Sequence, residues 1–61
     1  MNNATLNKKM IAHHVREYVI NDRRNNAQMR NHHMRQCVVV FGYCSRKQFD
    51  ELVAKAAKVT A

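Results

Sequence analysis

The sequence predicts a mainly helical, small α+β chain, with helix over about 5–24, a short β segment over about 36–41 and helix over about 46–59. Three observations lead there. Residues 5–24 contain neither Gly nor Pro and repeat apolar side chains at helical spacing. Residues 37–41 read Cys-Val-Val-Val-Phe, a β-branched run closed by the single glycine, Gly42. From Ser45 onward a capping signature opens an apolar stripe.

In the first helix, helical spacing gathers Ile11, Ala12, Val15, Tyr18 and Val19 on one side and turns Lys9, His13, Arg16, Arg23 and Arg24 to the other. Thr5 or Asn7 supplies its cap. Asn25 and Asn26 supply the stop, because Asn tolerates the left-handed backbone that ends helices.

The middle of the chain supports two readings. As a strand, residues 36–41 are apolar on both faces, and no second segment has strand character. The mate is then the same strand of another copy, giving a homodimer whose two-stranded ribbon is built from Val38, Val39, Val40 and Phe41. That ribbon buries Val39. The alternative is an all-α, three-helix chain with a helix-turn-helix over 34–54. Ala27, Met34, Cys37, Val38 and Phe41 then share one arc, Val39 and Val40 fall outside it, and Gly42 is the stop.

The last helix is the most clearly signalled. Ser45 is its cap, Gln48 completes a capping box, and Cys44 with Phe49 occupies the hydrophobic-staple positions. Phe49, Leu52, Val53, Ala56 and Val59 form its apolar stripe, with Lys47–Glu51 and Glu51–Lys55 as i,i+4 pairs opposite.

Length limits the chain to one domain over 1–61 with one small core. A domain of this size buries only roughly 60% of the surface its unfolded chain exposes, and usually needs a disulfide, a metal or oligomerisation. Cys37 and Cys44 would stand about 10 Å apart on a helix or about 23 Å apart on a strand, beyond the roughly 7 Å a disulfide spans. Unless the segment between them folds back, they are reduced, partly buried thiols, which implies a cytoplasmic compartment. Residues 1–9 hold no signal-peptide core, and the longest apolar run, Cys37 to Phe41, is far below the ~20 residues of a spanning helix, so no membrane association is expected.

Charge sets the function class. Eleven Lys and Arg against four acids give a net charge of +7 and a pI near 10.1, spread through the chain. A polyanion is the expected partner, nucleic acid first and an acidic host protein second. Arg23, Arg24, Arg30 and Arg35 suit phosphate oxygens. In the helical reading, Arg46, Lys47 and Gln48 open a recognition helix and are the candidates for base contact.

In that same reading, Gly42, Tyr43, Ser45 and Phe49 spell a Gly-aromatic-x-Ser-x-x-x-Phe pattern. It resembles the second half of the helix-turn-helix of AraC-type regulators over about a third of the chain. The resemblance implies a DNA-binding recognition helix. The sequence departs from it at Val38, where that family has a small residue, and in lacking the companion helices.

The pairs His13-His14 and His32-His33 do not have the spacing of common zinc sites, and adjacent histidines project in different directions. No metal or other cofactor is expected. The pairs read as surface groups that add positive charge as pH falls towards 6. The four acids, Glu17, Asp22, Asp50 and Glu51, form no catalytic constellation with a nucleophile and a base, so no enzyme is expected. The reading is a small basic nucleic-acid-binding regulator, DNA favoured, that acts by occupying a surface. The alternative is a phage- or plasmid-type interaction module that inhibits a host enzyme.

Overall fold

The computed structural model describes residues 3–59, and side-chain surroundings for residues 6–59. Three helices follow in order: α1 (Asn3–Arg23), α2 (Ala27–Arg35), which continues as a π-helical turn (Gln36–Val40), and α3 (Arg46–Val59). Among the described residues there is no strand. The β segment, and with it the ribbon pairing of Val38, Val39, Val40 and Phe41, is overturned, and the described residues have the all-α, three-helix architecture of the alternative.

Each boundary has a local cause. Asn25 adopts φ +58°, and the Asn26 amide donates to the Asn21 carbonyl at 2.9 Å while the Asn25 amide donates to Asp22 at 3.1 Å. These are the two bonds of a Schellman ending, which satisfies carbonyls that a helix end leaves bare. Asn26 then caps α2, its Oδ1 accepting from the Met29 amide at 3.2 Å. At the start of α1, Asn7 lies inside the helix and is no cap, while the Thr5 side chain lies outside the described surroundings.

The valine run explains the failed strand expectation. β-Branched residues disfavour helix only by tenths of a kcal/mol, so packing decides. Here Cys37 is fully buried and Val38 packs against the core, whereas Val39 and Val40 are 64% and 57% exposed. The Phe41 amide donates to the Gln36 carbonyl five residues back at 3.0 Å. This widened turn accommodates one residue more than an α-helical one and breaks the regular phase. Phe41 therefore leaves the predicted arc and is 56% exposed, stacked on Tyr43 with ring centroids 5.3 Å apart. Gly42 follows at φ +63°, and a Cβ at this position would meet nothing within 4 Å, so its role is the left-handed turn and not close packing. The Tyr43 amide closes the end on the Cys37 carbonyl at 2.8 Å.

The chain thus folds back, and Cys37 and Cys44 meet with their Sγ atoms 3.6 Å apart as free thiols. The distances of an uninterrupted helix or strand do not apply to them. α3 opens on the capping box read from the sequence: the Gln48 amide donates to Ser45 Oγ at 3.1 Å, and the Ser45 amide donates to Gln48 Oε1 at 3.0 Å. Phe49, fully buried, joins Val15 and Cys37 in the core and meets Tyr18 edge to face at 5.3 Å. Tyr18 beside Phe49 and Arg23 beside Ala57 show that α3 runs alongside α1 in the same sense. α2 runs against α1, with His33 beside His14 and Arg30 beside Asp22. Leu52 and Val59, placed on the buried stripe by periodicity, are 37% and 86% exposed.

Burial ranks the substitutions. Phe49→Ala should cost about 3–5 kcal/mol, most of the stability of so small a domain. Val39→Lys should leave helix content and melting temperature near those of the wild type, whereas Val38→Lys lowers both. Circular dichroism melts of the three variants check this, and a Val39→Lys chain that unfolds would restore the buried strand.

Candidate nucleic-acid interface and histidine cluster

The seven basic and polar residues singled out from the sequence do not form one patch. Arg23, at the end of α1, donates Nη2 to the Ala57 carbonyl at 3.2 Å. It thereby serves the C-terminal end of α3, where a cation is favoured. Arg46 and Lys47 stand at the opposite end of α3, about 16 Å away along the helix.

Two of the arginines are already paired. Arg30 Nη1 meets Asp22 Oδ1 at 2.6 Å, its guanidinium lies 5.9 Å from the Tyr18 ring centroid, and its Nε is buried without a partner. The Asp22 hydrogen bond holds this guanidinium even more firmly protonated than usual. Arg30 fastens α2 to α1. Arg46 Nε meets Asp50 Oδ1 at 3.0 Å, and its Nη1 reaches Met34 Sδ at 3.4 Å, so it bridges α3 and α2. Arg46–Asp50 is also the ion pair that α3 forms among the described residues, one position earlier than Lys47–Glu51. Gln48 spends its carbonyl on the capping box. Arg24, Arg35 and Lys47 are exposed and make no ion pair among the described residues.

Arg35 also borders a shallow cleft of about 680 Å³ on the outer side of α2, together with Gln28, Asn31, His32 and Gln36. A second cleft, of about 660 Å³, lies between α1 and α3. Its walls are apolar, with Ile11, Val15, Val19, Ile20 and Leu52, and Lys8, Arg16 and Arg23 stand at its margin.

The histidines depart most from expectation. His14 is buried, His33 is half-buried, and their Nδ1 atoms lie 3.1 Å apart, one ring donating and the other accepting. His13 stands close to both, with ring centroids 5.2 Å from His14 and 6.0 Å from His33. Burial holds the His14 imidazole below its ordinary range, with His13, His33 and His32 adding repulsion in that order. Burial lowers His33 too, and His32 and His13 push it the same way against the opposing pull of Glu17. These two rings therefore resist the protonation that the sequence assigned to them. Adjacent side chains on α1 do diverge, but a second helix packed across them brings a third imidazole to both. The signal was present in the tight turn at Asn25: a helical hairpin that sets Arg30 beside Tyr18 sets His33 beside His14.

The Cys37 thiol has no nucleophilic character. Burial, then the contact with Cys44, pushes Cys37 up to about 12, so it stays a neutral thiol. No helix among the described residues is long and apolar enough to cross a membrane. Comparison with protein families, curated proteins and solved structures finds no match to the chain.

The histidine shifts set a pH dependence. An unfolded imidazole titrates near 6.5, whereas folded His14 and His33 take up protons only at lower pH. Below about 6.5 the unfolded state binds more protons, so stability is fully present above that value and falls as pH drops through the lowered ones. Melting temperature should decline between pH 7 and pH 5, less steeply in His14→Gln. A wild-type melting temperature that rises on acidification contradicts the assignment.

Proposed function

We propose that the protein is a small nucleic-acid-binding regulator, DNA favoured, that works by occupying a surface and carries out no chemistry. The observation that carries the reading is an excess of seven positive charges on a frame in which α2, the turn at Gly42 and α3 have the order of a helix-turn-helix, with α1 packed against both helices. The N-terminal turn of α3 is exposed and held by its capping box, so Arg46, Lys47 and Gln48 enter a groove on a rigid element. Arg24, Arg35 and Lys47, which make no ion pair among the described residues, make the strongest phosphate contacts. Arg23, Arg30 and Arg46 add charge while serving the fold. We place the protein in a reducing, cytoplasm-like setting, in which Cys37 and Cys44, whose Sγ atoms are 3.6 Å apart, stay free thiols.

A second reading has its own support. Val39, Val40 and Phe41 form an exposed apolar surface beside the turn. Such a surface suits a second copy of the chain or a host protein that the module inhibits. A homodimer on this reading joins side chain to side chain, without the ribbon's hydrogen bonds.

Fluorescence anisotropy with duplex DNA, single-stranded DNA and RNA over a series of salt concentrations decides between the readings. Duplex binding should weaken steeply with salt, and the triple variant Arg24→Gln, Arg35→Gln, Lys47→Gln should flatten the log-log slope by about 2 to 3. Sedimentation of Val39→Lys reports on self-association. No affinity for any nucleic acid, together with salt-resistant binding to a protein, moves the assignment to the second reading.

A further inference from the structure

We propose that His13 and His14 of α1 and His33 of α2 form a binding site for one divalent transition-metal ion, zinc(II) foremost, which clamps the two helices together.

The geometry is nearly that of a coordination sphere. One ring nitrogen from each of the three residues lies within 4.8 Å of the others. Tetrahedral zinc with bonds of 2.0–2.1 Å holds its ligand nitrogens about 3.3 Å apart. His14 Nδ1 and His33 Nδ1, at 3.1 Å, already stand at that separation. The three ligand atoms, all within 4.8 Å of one another, need close by no more than ~1.5 Å to reach ~3.3 Å. His13 is exposed, so its ring can rotate inward without disturbing the core.

The donor set selects the class of ion. Three imidazoles suit zinc, copper or nickel, and give magnesium or calcium none of the oxygen ligands they require. At present one Nδ1 hydrogen bridges the two rings. On binding, the donor ring shifts that hydrogen to Nε2, both Nδ1 lone pairs turn to the ion, and the overall proton count is unchanged. Three protein ligands leave the fourth tetrahedral position to water. Glu17, half-buried one turn beyond His13 on α1, is placed to orient that water or a ligand ring.

The clamp answers a need of the fold. Among the described residues four apolar side chains, Val15, Val19, Cys37 and Phe49, make up the buried core, and the thiols form no disulfide. In the unfolded chain His33 is separated from His14 by 19 positions, so an ion favours the native state strongly over the unfolded one.

The test uses the full-length chain stripped of metal and titrated with zinc(II) and with cobalt(II). One ion should bind per chain, cobalt should develop the intense visible absorption of tetrahedral coordination, and zinc about a hundredfold above its Kd should raise the melting temperature by roughly 10–20 °C. His13→Ala, at an exposed position, should fold like the wild type and bind zinc at least tenfold more weakly. His33→Ala should remove the site, and His32→Ala should retain it. Absence of any shift at about millimolar zinc overturns the proposal. So does wild-type affinity in His13→Ala, which stays decisive should His33→Ala fail to fold, or a sulfur-to-cobalt charge-transfer band, which would place the ion on the cysteines.

Discussion

Burial of the Phe49 ring is the contact on which the rest of the structure depends. α3 has no other fully buried side chain, and its attachment to α1 and to the π turn converges on this ring, with Tyr18 edge-on, Val15 beside it and Cys37 across from it. A single aromatic docks a 14-residue helix, which supplies a large apolar payload from few residues. The capping box just ahead of it in the chain has meaning only in this light. It fixes where α3 begins, and so fixes the angle at which position 49 enters the core. Ser45 and Gln48 aim the ring, and the ring holds the helix.

The features legible in the sequence were those set by a few neighbouring residues. The end of α1 at Asn25, the cap at Ser45 and the extent of α3 follow from hydrogen bonds that close within one turn. The strand expectation at 36–41 failed because β-branched composition describes what a segment can pack against, and a half-buried helix satisfies three valines when only Val38 must face inward. The π turn was not legible at all, since one extra residue in a turn leaves no mark on composition. Its effect is nonetheless large. It moves Phe41 from the core arc to the surface and positions the chain so that Cys44 returns to Cys37.

The candidate interface was legible in charge and illegible in commitment. The sequence ranks Arg30 with Arg24 and Arg46 with Lys47, yet folding draws Arg30 to Asp22 and Arg46 to Asp50. Ion pairs so close to solvent stabilise the fold little. Their greater effect is on direction, because a guanidinium held by a carboxylate presents less charge outward. Two of the chain's four acids are used in this way. The positive field is therefore uneven over the surface in a manner that composition alone does not disclose.

The histidines show how the same hairpin joins stability to chemistry. The turn at Asn25 sets the register of α2 on α1, and that register places a buried His14 against His33 at a point where an apolar pair would pack more simply. A polar contact between two weakly basic rings contributes little net stability, and burial lowers the proton affinity of both. Retaining it is intelligible when the pair has a further use. An ion held there would add to the α1–α2 packing that positions the π turn, and through it Phe49 and α3. The His14–His33 contact lies on the same hairpin as the packing that positions α3, so occupancy there would be felt by the helix proposed to face nucleic acid.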